Sequence, residues 1–299
     1  MDAAISFVVY VKNAARTVAR TLDSLVAQEG VAHEIVVIDG ASTDRTLNEI
    51  ARYRSRIDVF ESKADAGAFE AANRGWQAAH APIVWFVMGD DWLEPRAGAA
   101  IVAAFRDNPA AGLASCGVLV VAERPDGGFE TVRECRGRDN AFAPQNILGI
   151  PFSAARAWRR DVLSRLGGFD GAYRSAHDRD FLMRAWVSGV HGVTVDDVLY
   201  TYRQHAGSRT LSGDRATIRE FLEEHWRMSR GWLGLPQLSA EDRRAIKAWR
   251  ADQQAEAAIL ALGDGAVLAS FGMVAAGLSE AGFLPALARR LAPRISARR

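Results

Sequence analysis

The chain has 299 residues, 49% hydrophobic and 24% charged, a balance that suits a globular, soluble core and excludes a disordered or fibrous chain. Its 37 basic and 36 acidic residues leave a net charge of +1, which argues against nucleic-acid binding driven by bulk charge. The two cysteines, Cys116 and Cys135, lack metal-type spacing, and the start Met1-Asp2-Ala3-Ala4 lacks the basic region and cleavage site of a signal peptide; free thiols in a cytoplasmic protein are expected.

In chain order, Ile5 to Val11 reads as a strand, and Ala14 to Gln28 as a helix with Val18, Leu22, Leu25 and Val26 on one face. Ile35 to Ile38 is a second strand ending at Asp39. Ser42, Thr43 and Asp44 then offer caps for a helix carrying Leu47, Ile50 and Ala51. Ile57 to Phe60 is a third strand, Ala68 to Ala79 a third helix and Ile83 to Val87 a fourth strand. This alternation predicts an α/β fold with a mostly parallel central sheet flanked by helices, whose ligands bind beyond the carboxyl ends of the strands. Gly112 to Val121 and Phe129 to Cys135 flank the turn Pro125-Asp126-Gly127-Gly128, which predicts a hairpin added to the sheet. Arg159 to Leu166 and Asp178 to Val187 read as helices, and Val193 to Tyr202 as a strand. The last third is helical over Ala216 to Trp232 and Ala240 to Leu262. The nearly uncharged stretch Gly265 to Leu278 falls short of a spanning helix, lies between Asp264 and Glu280, and precedes a tail bearing Arg289, Arg290, Arg294, Arg298 and Arg299.

Asp39, Asp65, Asp90 and Asp91 each follow a strand. Adjacent carboxylates at the mouth of a buried strand are costly unless a positive charge meets them, for which a divalent cation holding a diphosphate is the candidate, the alternative being a solvated loop with incidental acids. Asp39 beside Gly40 suits a nucleobase or ribose, or a plain capped turn. Asp65 and Arg74 bracket the third helix, as nucleotide and phosphate contacts or as solvated ends. Asp178 at a helix start is a cap or a general base. His205 is a structural histidine or a ligand of the same cation. Gly-x-Gly-x-x-Gly and P-loop motifs are absent, and so is the glycine-rich loop of a nucleotidyltransferase.

In order, Val11-Lys12-Asn13, Asp39-Gly40-Ala41-Ser42-Thr43-Asp44, Asp65-x-Gly67-x-x-x-Ala71-x-Asn73-x-Gly75, Gly89-Asp90-Asp91-Trp92, Arg159-Arg160, Gly167-Gly168-Phe169-Asp170, Asp178-x-Asp180-Phe181-x-x-Arg184 and Tyr202-Arg203-x-His205-x-Gly207-Ser208-x-Thr210 resemble the family 2 glycosyltransferases of GT-A fold. The resemblance spans Ile5 to Thr210. It implies an inverting transferase that moves a sugar from a nucleotide-diphospho-sugar donor to a sugar or lipid-linked acceptor hydroxyl, with Mn2+ or Mg2+ as cofactor, in polysaccharide or glycoconjugate biosynthesis. It further implies a catalytic domain over 1–210, with a nucleotide-sugar half to about 108 and an acceptor half after it, and leaves 211–299 as a helical C-terminal extension. By resemblance Asp178 is the catalytic base and Asp91 the metal ligand, joined by His205. The donor is held by Val9, Tyr10, Asn13, Asp39, Asp65, Gly67, Asn73, Arg74 and Asp90. His177 departs from the glutamate or small residue frequent before the base. The Gln-x-x-Arg-Trp motif of processive synthases is absent, which favours single addition. The alternatives are a non-catalytic nucleotide-sugar-binding module or a nucleotidyltransferase. Residues 265–299 suit either contact with an anionic membrane surface, on the inner face, or packing within the protein or across a homo-oligomer.

Overall fold

The computed structural model describes residues 2–149, 152–205, 214–266, 270, 273–275, 277–278 and 282–296. The chain divides into two compact units, Met1–Ser208 and Arg209–Arg299.

The first unit opens with strands β1 (Ile5–Val11), β2 (His33–Asp39), β3 (Val59–Ser62) and β4 (Ile83–Met88), parallel and in the order β3-β2-β1-β4. The crossovers carry helices α1 (Val18–Val26), α2 (Thr46–Ala51) and α3 (Ala68–Ala78). The unbroken apolar run of β1 follows from burial on both faces. Phe7 and Val9 join the core with Val18, Leu22 and Leu25 of α1, whereas Val8 lies on the other face, against Gly75 of α3.

Next come β5 (Trp92–Leu93), α4 (Ala97–Asp107), β6 (Leu113–Glu123), β7 (Phe129–Cys135), α5 (Pro144–Leu148), β8 (Arg156–Arg159), α6 (Arg160–Leu166), α7 (His177–Val187) and β9 (Gly192–Gln204). Strand β8 runs antiparallel to both β4 and β6 and so joins the parallel half to the rest of the sheet. Strands β6 and β9 are parallel, with β7 antiparallel on β6 and β5 antiparallel on β9. The parallel expectation thus describes the first four strands, and the later half is mixed. The hairpin forms at the expected turn, where Arg124 N donates to Gly128 O at 2.8 Å. Cys116 and Cys135 are both buried and free.

In the second unit, Asp214 caps α8 (Arg215–Leu233) through Thr217 N at 2.8 Å, and Ser239 caps α9 (Ala240–Gly263) through Asp242 N at 3.0 Å. Trp232 and Trp249 stack with centroids 5.9 Å apart. Helix α10 (Phe283–Ser296) buries Phe283 and Ala286 against Ala251 and Ala255, and Arg290 pairs with Asp252 and Glu256. Much of the uncharged stretch 265–278, with Glu280, Arg298 and Arg299, lies outside the described residues. Of its described part, Ser270 Oγ donates to Ala258 O at 2.9 Å and Met273 O accepts from Gln254 Nε2 at 3.1 Å, so it packs on α9. Among the described residues no helix is long and apolar enough to cross a membrane.

Candidate active site

Parallel register puts the strand ends in a row: Val11 beside Asp39, Asp39 beside Ser62, and Tyr10 beside Met88. Asp65, Asp90 and Asp91 lie two or three residues past these ends. Tyr10 reports what gathers there. Burial pushes its hydroxyl far above the ordinary tyrosine range, and Asp178, Asp91 and Asp90 push it further, in that order. Three of the sequence-selected acids therefore lie around the end of β1. Val9, one residue earlier, is fully buried in the core.

The loops after β1 and β2 are zipped together. Asn13 N donates to Ser42 Oγ at 2.8 Å, Thr43 N to Asn13 Oδ1 at 2.9 Å, and Ala14 N to Thr46 Oγ1 at 2.7 Å. Asp39 is fully buried and accepts from Ser42 N (2.9 Å), Ser62 Oγ (2.6 Å) and Ser42 Oγ. Its carboxylate thus fixes the turn. That turn carries Ala41 at φ +57, a left-handed conformation that costs a non-glycine residue about 1–3 kcal/mol and concentrates at functional sites. A Cβ at Gly40 would meet Asp65 Oδ2 at 2.4 Å, so any larger residue there displaces the Asp65 carboxylate. Lys12, Gly40 and Asp65 are packed together at this point.

Asp65 Oδ1 accepts from Gly67 N at 3.1 Å, and Gly67, at φ +145, precedes α3. Arg74 is drawn inward, with Nη1 3.0 Å from Glu61 Oε1, Nη2 donating to Lys63 O at 3.1 Å, and Asp65 3.8 Å away. Asn73 faces another task. Its Nδ2 donates to Phe169 O at 2.8 Å, and its Oδ1 accepts from Phe169 N at 2.9 Å and Trp76 Nε1 at 3.0 Å. The amide is spent on the turn after α6.

The pair after β4 divides. Asp91 is fully buried; Tyr200 Oη donates to its Oδ2 at 2.6 Å and Arg203 N to its Oδ1 at 2.8 Å. Burial raises this carboxyl well above the usual carboxylate range and Asp90 raises it further, against Tyr200 and Arg203. Asp90 is partly exposed, and His205 Nε2 lies 2.8 Å from its Oδ2. One carboxylate and one imidazole at an accessible strand mouth form a donor set that suits a divalent cation with positions left for phosphate oxygens. Asp91 lies below the surface and accepts one hydrogen bond on each of its oxygens. Among the described residues no cluster of three or more metal-binding side chains occurs. Gly207, Ser208 and Thr210 lie outside the described residues.

Asp178 sits in the first turn of α7. Arg179 N donates to its Oδ1 at 2.7 Å, and Ser153 Oγ donates to its Oδ2. The Arg179 guanidinium donates to the carbonyls of Ile147 (2.6 Å) and Gly149 (3.2 Å), and Asp178 acts on its charge. His177 is buried edge-on to Phe169 at 5.4 Å and packs as part of an aromatic cluster. Farther along, Arg184 Nε donates to Asp180 Oδ2 at 2.7 Å, and its Nη1 and Nη2 to Leu166 O and Gly168 O, each at 2.7 Å. Ser153 and Tyr200 carried no signal in the sequence: one lies in a plain Ser-Ala-Ala run, the other in an ordinary apolar strand.

The family model for glycosyl transferase family 2 matches residues 6–167. The chain belongs to that family. It is a glycosyltransferase, and its fold is the GT-A fold that its motifs imply. Its relatives include an uncharacterized glycosyltransferase of Nostoc sp., 24% identical over 72% of this chain and 69% of the relative. A PGL/p-HBAD biosynthesis glycosyltransferase of Mycobacterium bovis is 27% identical over 60% of this chain and 69% of its own. Among solved structures, S. aureus TarS in complex with UDP-GlcNAc aligns with a TM-score of 0.66 and 20% identity, over 84% of this chain and 72% of that one. A mannosyltransferase from Pyrobaculum calidifontis in complex with GDP-Man and Mn2+ aligns with a TM-score of 0.62 and 20% identity, over all of this chain and 81% of that one. These structural likenesses concern the fold.

Proposed function

We propose that this glycosyltransferase inverts the anomeric configuration in a single displacement, with Asp178 as base. The supporting observation is that Asp178 and Asp90 both act on the Tyr10 hydroxyl at the end of β1. A base for the acceptor and an acid facing the diphosphate thus belong to one site. Ser153 and the Arg179 amide occupy one acceptor position on each Asp178 oxygen and orient the carboxylate. The acceptor O–H gives its proton to Asp178 while the oxygen bonds to the anomeric carbon. The bond from that carbon to the diphosphate breaks, and its electron pair leaves with the phosphate oxygen.

Asp90 and His205 are the residues that would hold Mn2+ or Mg2+, which supplies Lewis-acid neutralisation of the leaving diphosphate. The turn of Asp39, the Gly40–Asp65 contact and Lys12 form the nucleoside end, and Asn13 keeps that turn in place. Tyr10, Gly67 and Arg74 line the same strand-end region. Val9 and Asn73 serve it from behind, through the core and through the Phe169 turn. Single addition is supported by the missing Gln-x-x-Arg-Trp motif.

The test is release of nucleoside diphosphate from a panel of UDP- and GDP-sugars with manganese. Asp178→Asn should bind nucleoside diphosphate as the wild type does and lose about 10²–10⁴-fold in turnover. Wild-type turnover in that variant removes the base assignment.

For a lipid-linked acceptor on the inner membrane face, the supporting observation is the set of exposed apolar residues Leu262, Met273, Leu278 and Leu284 in the second unit. Co-sedimentation with anionic vesicles, full-length against Leu278→Ser/Leu284→Ser, decides this: equal binding by both removes the membrane contact.

A further inference from the structure

His205 is the first residue past β9, which ends at Gln204, and its Nε2 lies 2.8 Å from Asp90 Oδ2. The geometry of this pair depends on what holds the Gly89–Asp91 segment and the tip of β9. The segment is held from α1. Thr17 Oγ1, at the start of that helix, donates to Gly89 O, and Thr21 Oγ1 donates to Asp91 O, each at 2.7 Å. The main chain is thus gripped on either side of Asp90.

The tip of β9 is held by Arg203. Its amide donates to Asp91 Oδ1 at 2.8 Å, and its buried side chain pairs through Nη2 with Glu123 Oε2. Glu123 is the last residue of β6. The two parallel strands are in register up to Val121 beside Arg203 and Ala122 beside Gln204. Carried one residue further, that register sets Glu123 opposite His205. The two-residue period of a strand puts Glu123 on the face of Arg203. The other Glu123 oxygen, Oε1, lies 3.6 Å from Arg16 Nη2, in the loop between β1 and α1. Arg203 first, and Arg16 after it, hold the Glu123 carboxyl below its ordinary range, so it is an anion at neutral pH. One carboxylate therefore joins the loop after β1, the end of β6 and the end of β9.

We propose that Glu123 is a positioning residue for the cation-holding pair: by gripping the Arg203 side chain at the tip of β9, it sets the His205 imidazole against Asp90. This rests on the reading of Asp90 and His205 as the residues that hold Mn2+ or Mg2+. Glu123 has its oxygens committed to two arginines, so it acts through Arg203 and not as a ligand. Desolvation offsets much of the attraction in so sheltered a pair, and its use lies in fixing geometry more than in stability. Supports of this kind change metal affinity by about 10–100-fold without meeting the ion.

The test is manganese binding by the full-length protein with UDP or GDP present, read by calorimetry and by the paramagnetic resonance of free manganese. Glu123→Ala should weaken manganese by about 10–100-fold, and raised manganese should recover its turnover, which a general structural defect would not allow. The double variant Glu123→Ala/His205→Ala should bind manganese no more weakly than His205→Ala alone, because the support then has no imidazole to place. Losses that add in the double variant, or wild-type manganese affinity in Glu123→Ala, overturn this proposal and leave the metal reading standing. Wild-type manganese affinity in His205→Ala overturns both. If Glu123→Ala does not fold, Glu123→Gln removes the charge, keeps an acceptor for Arg203 and carries the same expectations in smaller degree.

Discussion

At the scale of single residues, Asp90 and Asp91 show how neighbouring identical side chains divide labour. Asp90 reaches the strand mouth beside His205, while Asp91 turns down to Tyr200 and the Arg203 amide. Asp90→Asn should therefore weaken manganese-dependent binding of nucleoside diphosphate at an unchanged melting temperature. Asp91→Asn leaves one acceptor for two buried donors, and should cost about 1–3 kcal/mol of stability. Calorimetric titration and thermal melts on the two variants check this, and the opposite pattern would return the metal to Asp91. The sequence placed both acids at a strand end, because a polar pair after an apolar run is visible locally. Which one faces inward was not legible. That depends on Tyr200 and Arg203, more than a hundred residues away, and no local pattern encodes the pairing.

Among elements, the turn after α6 is the clearest case of structure built for position. Asn73 on α3 grips both main-chain groups of Phe169, and Gly168 at φ +68 lies so close that a Cβ would meet Asn73 Oδ1 at 2.3 Å. Asn73→Ala should cost about 1–2 kcal/mol, and Gly168→Ala should cost more, since it adds a clash to the left-handed strain. Denaturant unfolding of both variants measures the order. The long periodic elements β1, α1, β2, α3 and β4 were readable because hydrophobic spacing reports burial directly. Strand β8 was not, because Arg156-Ala157-Trp158-Arg159 looks polar. Its burial depends on carbonyls that accept from the arginines, such as Ala111 O from Arg159 Nε at 2.7 Å. Helix α4, rich in alanine with one buried stripe of Ile101 and Phe105, offered too weak a period to mark.

Across the whole molecule, the two ends of the parallel sheet differ in kind. The carboxyl ends gather the acids of the candidate site. At the opposite end Glu34 is buried and accepts from Ser6 Oγ at 2.5 Å and His80 N at 2.9 Å, with His80 Nδ1 2.6 Å away. Burial opposes its ionisation, but Ser6 and then His80 outweigh burial and lower its value below 4.5. A depressed carboxylate contributes stability that is present above its unfolded value and lost as pH falls through the folded one. Glu34→Gln should thus be less stable by about 1–3 kcal/mol at neutral pH. It should also lose less than the wild type on acidification below about pH 4.5, with turnover at neutral pH unchanged. Melting curves from pH 7 to 3 beside a turnover assay test the separation of the two ends. The Asp91 clamp carries a consequence of its own. Arg203 precedes His205 by two residues, so the strand that delivers the imidazole is bolted at its tip to the segment that delivers Asp90. Cutting that bolt lets the imidazole drift from its partner, so a survey that watches turnover alone would not tell a ligand from a support at Asp91.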